Sequence, residues 1–132
     1  MHQPTADLPA KVETPDATIQ RVTEFGAMDG QSFDAVRGTM SPGVDVTGLL
    51  KGLEGDLCQC PHWGYIVDGS VHVGYTDGTT EVNEPGEAVY WPPGHMILTE
   101  DEGIDFVLFS PQDEHGHVFD HLQQKVNEAE AD

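Results

Sequence analysis

The segment Cys58-Gln59-Cys60-Pro61-His62 carries two thiols and an imidazole at alternate positions and runs directly into Trp63, Tyr65 and Val67. On an extended backbone alternate side chains share a face. Cys58, Cys60 and His62 therefore point one way and the apolar set the other, with Pro61 able to bend the strand between them. Three interpretations fit these residue types: a metal site, a redox pair, or the apolar start of a β-strand. Residues two apart on a strand rarely meet disulfide geometry, so the thiols are expected to stay reduced. Thiolate with imidazole suits Zn²⁺ first, with iron or copper as alternatives. The plain interpretation stands beside it, because cysteine is among the most buried residue types and packs as a small hydrophobe.

The remaining histidines carry weaker signals. His72 alternates with Val71, Val73 and Tyr75, which puts it on an outer face or a barrel wall. His115, His117 and His121 lie among acids near the end of the chain and are expected to be solvated rather than to form a surface metal clip. Trp63, Tyr65, Tyr75, Tyr90 and Trp91 are expected in the core, some of them as walls of a pocket. No acid–base pair or nucleophile triad is legible, so no reaction is named by these residues alone.

The elements that must position this chemistry follow from the punctuation. Glycines at 69, 78, 86, 94 and 103 recur at intervals of 9, 8, 8 and 9. Between them lie "GYIV", "VHVGY", "TEVN", "AVYW", "MILT" and "IDFVLFS", rich in β-branched and aromatic residues and too short for helices. This spacing predicts an antiparallel sandwich or barrel. Upstream, "TIQRVTEF", "SFDAVRGTM" and "DVTGLL" are expected as further strands. Residues 1–17, with Pro4, Pro9 and Pro15 among polar residues, are expected to form a flexible arm ahead of a single domain over 18–132. Near the end, Val118, Phe119, Leu122 and Val126 fall on one side of a helix that should pack across the barrel.

The stretch "HWGYIVDGSVHVGYTDGTTEVNEPGEAVYWPPGH" resembles the cupin superfamily, whose two motifs lie on neighbouring hairpins of a small jelly-roll barrel. The first motif is His-x-His, three or four residues, Glu, six residues, Gly; the second is Gly, five residues, Pro-x-Gly, two residues, His. Gly69 fits the end of the first, and Gly86, Pro92 and Gly94 fit the second. The fold implied is an all-β, cupin-type jelly-roll antiparallel β-barrel with a short C-terminal helix. The ligand positions depart from the family. His62 stands at the Glu position, Cys58 and Asp56 at the two His positions, and Ile97 at the second motif's His, with His95 two residues earlier. A two-residue shift on a strand keeps the same face. The resemblance thus implies a rebuilt site of Cys58, Cys60, His62 and His95, the last facing His62 across the barrel. With all four bound the site is closed and structural; with one thiol out, a position stays open for water or substrate. Ordinary imidazole pKa values would place loss of metal below about pH 6.

Composition limits the partners. The 132 residues fit one domain, and 24 Asp and Glu against 5 Lys and Arg give a formal charge of −19. Such a surface repels phosphate backbones and anionic lipid, so nucleic acid and membrane are not expected. The first twenty residues lack the basic start and apolar run of a secretory signal, and a cytoplasmic protein is expected. Acid spread through every segment with so little Lys fits a halophilic origin, where salt screens the repulsion. Barrel edges and an arm suggest a homodimer. Two functions fit: a small metal-dependent enzyme acting on a small organic molecule, with Cys60 as fourth ligand or nucleophile, or a noncatalytic cupin that binds or senses a small ligand or a metal.

Overall fold

The computed structural model describes residues 1–131. Among them are nine strands and two α-helices: β1 (Ala10–Glu13), β2 (Ala17–Met28), β3 (Gln31–Met40), α1 (Thr47–Leu50), β4 (His62–Gly69), β5 (Val71–Tyr75), β6 (Thr80–Asn83), β7 (Ala88–Trp91), β8 (His95–Leu98), β9 (Ile104–Pro111) and α2 (Gln112–Ala131). Six strands form one sheet in the order β1-β2-β3-β9-β4-β7, and three form a second in the order β6-β5-β8. Every pairing is antiparallel. This is the antiparallel two-sheet architecture expected from the glycine spacing, and the jelly roll that the cupin resemblance implied.

Side-chain alternation builds the core. In β9, Ile104, Phe106, Leu108 and Ser110 are buried; in β4, His62 and Ile66 are. With Val36, Val71, Val73 and Trp91 they form the interior between the sheets. Gly69, at φ +76°, turns β4 into β5 where a Cβ would strike the Gly103 carbonyl, so this hairpin admits glycine alone. The terminal helix buries the predicted stripe of Val118, Phe119, Leu122 and Val126, each side chain worth about 1.5–3 kcal/mol over leaving it in water. It packs on β1, β3, β9 and α1.

Three expectations are corrected. The "DVTGLL" segment is not a strand: Thr47–Leu50 is a helical turn, with the Thr47 N–H bonded to Asp45 Oδ1 at 2.9 Å. A side-chain acceptor two residues back favours the turn over extension. Core also begins before residue 18. Ala10–Glu13 pairs with β2, and Leu8 and Val12 are buried. Five residues between Pro9 and Pro15 are too few for a period to show. Finally, Trp91 is core, donating Nε1–H to Asn83 Oδ1 at 2.8 Å, but Trp63, Tyr65 and Tyr90 are 45, 50 and 50% exposed. They lie on the open face of the six-stranded sheet, since no second layer covers both faces.

Candidate metal centre

The first potential ligand is fixed by backbone. The Cys58 N–H donates to the His95 carbonyl at 2.9 Å, and the N–H groups of Gly94 and His95 donate to the Cys58 carbonyl at 2.8 and 3.2 Å. An antiparallel bridge thus sets Cys58 opposite His95. The Pro92-Pro93-Gly94 turn makes this possible, because Gly94 has φ +89° and a Cβ there would collide with the Thr76 hydroxyl. His62 opens β4 and pairs with Trp91 of β7. Its inward face follows from the same alternation that buries Ile66.

Two groups of potential ligands result, each with its ligand atoms within 4.8 Å of one another: Cys58, His62 and His95, and Cys60, His62 and His115. All five residues are buried. Cys58 Sγ lies 3.6 Å from His62 Nε2. The His62 ring centroid is 5.0 Å from that of His95 and 4.6 Å from that of His115. Both cysteines are free thiols.

Each histidine is held through Nδ1. His62 Nδ1 meets Ser110 Oγ at 2.6 Å, His95 Nδ1 meets the Pro92 carbonyl at 2.8 Å, and His115 Nδ1 meets Asp34 Oδ2 at 2.8 Å. A carbonyl only accepts, so His95 Nδ1 carries the proton and its neutral ring leaves Nε2 as a bare lone pair. A carboxylate sets the same tautomer at His115. Outer contacts of this kind orient and strengthen imidazole ligands at metal sites. Asp34 is itself held by Arg21, whose Nε–H donates to Oδ2 at 2.7 Å, while Nη2 donates to the Gln112 carbonyl at 2.9 Å. The guanidinium lies 4.9 Å from the Phe119 ring centre, so Arg21 joins β2, β3 and α2. Asp34 Oδ1 is buried without a hydrogen-bond partner.

Burial keeps Cys58, Cys60, His62 and His95 uncharged. Desolvation pushes the Cys58 thiol up to about 11, against a backbone hydrogen bond from Cys60 that lowers it. Cys60 is raised as well, by desolvation first and then by Cys58 and Asp34. Desolvation holds His62 well below the ordinary imidazole value, with His115 and His95 adding to the effect. His95 falls to about 4, burial outweighing the Pro92 hydrogen bond. Buried neutral imidazoles and thiols are donors that a divalent cation can claim by displacing a thiol proton. Sulfur and nitrogen donors with ordered outer contacts therefore fit a divalent metal ion.

A cavity of about 390 Å³ opens between the sheets and the helices, and Cys58, His62, His95 and His115 all line it. Cys60 does not. Of the four residues expected to converge, three do so in one group, and Cys60 stands in the other. His115 was missed although the pattern held a signal: it lies three, four, seven and eleven residues before Val118, Phe119, Leu122 and Val126, on the buried stripe. His117 is exposed, and His121 bonds the Lys51 carbonyl through Nε2 at 3.0 Å. His72 is half-buried beside Glu100, at 3.4 Å, on the face of β5 opposite the buried Val71 and Val73. Of the family's ligand positions, Asp56 is exposed in a turn and Ile97 packs against the core.

No family model and no curated protein matches the sequence. Solved structures do match it in fold. The polyketide cyclase RemF from Streptomyces resistomycificus superposes with a TM-score of 0.58 at 21% identity, over 84% of this chain and 78% of that one. A mutant of the Bacillus subtilis oxalate decarboxylase OxdC gives 0.57 at 21% identity, over 81% of this chain and 28% of that one. A structure of the DMSP lyases RdDddP and RnDddQII gives 0.52 at 14% identity, over 84% of this chain and 54% of that one. With its two antiparallel sheets, its Gly69 and Gly94 hairpins and these superpositions, the chain is a cupin-fold protein.

Proposed function

We propose that this protein binds a divalent metal through Cys58, His62 and His95 and binds or transforms a small organic molecule in the adjoining cavity. The observation that carries the proposal is the convergence of three buried donors on the cavity, each histidine oriented by a contact on its far nitrogen. Three protein donors leave a tetrahedral ion one position for water or ligand, and His115 lies beside it. Zinc is the first expectation for one thiolate and two imidazoles, with iron or copper next. Cys60, away from the cavity lining, belongs to the neighbouring group with His115 rather than to the substrate's surroundings.

Elemental analysis of untagged full-length protein, purified under reducing conditions, tests the proposal. Metal should be present, or taken up from added Zn²⁺ or Fe²⁺. Cobalt loading should give the intense thiolate charge-transfer absorption that imidazole and water do not. His62→Ala should abolish uptake and His72→Ala should leave it intact. Protein that holds no metal and takes up none would overturn the reading. A noncatalytic binding or sensing role is favoured by one observation: His62 occupies the family's Glu position, so no carboxylate stands there for proton transfer. Turnover of any small molecule by the metal-loaded protein would decide against it.

The reading extends to a homodimer. Trp63 stacks on Tyr90 at 5.1 Å and Phe25 on Phe109 at 5.9 Å, and Trp63 pairs directly with Phe109. Together they make an exposed apolar surface on a chain otherwise rich in carboxylate. Sedimentation at high salt, where charge repulsion is screened, should give twice the chain mass. Free thiols support a reducing, cytoplasmic setting.

A further inference from the structure

Resting on the reading that the barrel cavity is the working site, we propose that its ligand is an uncharged, predominantly apolar molecule of about two fused rings carrying one polar anchor. Small dicarboxylates and other anions are excluded. The walls are hydrocarbon: Ile19, Val36, Leu49, Phe106, Leu108 and Val118 are among them. The buried polar side chains gather at one place, where Cys58, His62, His95 and His115 meet the cavity, and the other polar ones, Thr14, Asp16 and Asp45, are not buried. A ligand can therefore satisfy one polar group there and must present apolar surface elsewhere, since a buried polar group without a partner costs several kcal/mol on a scale of about 2–7.

Charge decides the second half of the proposal. The chain has five Lys and Arg in all, at Lys11, Arg21, Arg37, Lys51 and Lys125, and none of them lines the cavity. Arg21 is committed to Asp34, and Arg37 forms a two-pronged pair with Asp105 at 3.2 and 3.0 Å. Among the described residues, the only formally charged ones that line the cavity are Asp16 and Asp45, both exposed and both negative. An anion entering past them is repelled, and within the cavity it finds no guanidinium or ammonium. A divalent ion bound by one thiolate adds a single net positive charge, which the two carboxylates of Asp16 and Asp45 outnumber. Size follows from volume: an engineered apolar cavity of about 150 Å³ takes one benzene, and this one measures about 390 Å³.

The test uses 2-naphthol and 2-naphthoate, which share a ring system and differ in charge at pH 8. Each is titrated into full-length protein, metal-loaded and metal-free, in about 0.1 M and 1 M NaCl, conditions in which the Debye length falls from about 10 to 3 Å. 2-Naphthol should bind at least tenfold more tightly than 2-naphthoate at both salt concentrations. Leu49→Trp and Ala17→Phe, which fill the cavity from two sides, should each weaken it at least tenfold while circular dichroism stays that of the parent. Equal or tighter binding of 2-naphthoate, no binding of 2-naphthol, or binding unchanged in both folded variants overturns the proposal. Metal uptake without 2-naphthol binding overturns the ligand class alone, and 2-naphthol binding by protein that takes up no metal overturns the metal reading alone.

Discussion

Metal uptake should release a proton, and the structure says from where. Burial raises Cys58 to about 11, so at pH 7 its thiol is protonated and must lose that proton before sulfur can bind. A gap of about four pH units corresponds to about 5 kcal/mol at 1.36 kcal/mol per unit, well below the roughly 10–16 kcal/mol apparent at structural zinc sites. His95 falls to about 4 and His62 lies well below 6.5, so neither imidazole competes with the ion near neutrality. Apparent affinity should accordingly rise about tenfold per pH unit from pH 6 to pH 9, without the break near pH 6 that ordinary histidines would give. Calorimetric titration of Zn²⁺ in buffers of different ionisation enthalpy counts the protons directly, and one should appear per ion. In Cys58→Ala any residual binding should be flat with pH over this range. A metal-loaded protein that releases no proton at pH 7, or a break at pH 6, would refute the assignment of Cys58 as a buried thiol ligand.

Further outcomes follow from the same contacts. The metal-free protein should lose stability as pH falls: His95 titrates at 6.5 when unfolded and at about 4 when folded, so its contribution is complete above 6.5 and declines by about 3 kcal/mol towards pH 4, as chemical denaturation would record. Asp34→Ala should cost about 3–5 kcal/mol by leaving Arg21 without its partner and His115 without its acceptor; a loss under 1 kcal/mol would contradict that role. Gly94→Ala should cost about 1–3 kcal/mol through its left-handed backbone and its collision with Thr76, and should weaken metal binding because His95 is the next residue, both readable from melting and titration. If the acidity is a high-salt adaptation, the melting temperature should keep rising from about 0.1 M to several molar KCl; indifference to salt would leave it an ordinary solvated surface.

The β-rich half was legible because its glycines sit where the backbone needs them and the apolar residues between them alternate with period two. Gly69 and Gly94 both have positive φ, and both hairpins lie where the spacing put them. Cys58, His62 and His95 converge although none occupies a family ligand position as a matching residue type, since same-face shifts survive such changes. Other features depended on contacts no local pattern encodes. Leu49 and Leu50 read as strand apolars, yet an Asp45 side chain closes a turn there. Trp63 and Tyr90 looked like core because aromatic content does not reveal which sheet face is covered. His115 was set aside by its acidic neighbours, while the helical stripe that contains it carried the better signal.

The bridge between Cys58 and His95 has a mechanical side. His95 opens β8 of the three-stranded sheet, whereas Cys58 belongs to the segment that leads into β4 of the six-stranded sheet. Their backbone bonds act as a clasp at this edge of the barrel, and an ion shared with His62 would rivet the same edge. The halves of the barrel then cannot part there to admit a guest. A second clasp of the same kind lies beside the single turn of α1, where Asp45 bridges Leu98 and the Thr99 N–H donates to the Val44 carbonyl at 2.8 Å, tying the segment that follows β3 to the far end of β8. Both ends of β8 are thus fastened to segments that lead into or out of the six-stranded sheet, and the geometry that would hold the ion is braced from two sides.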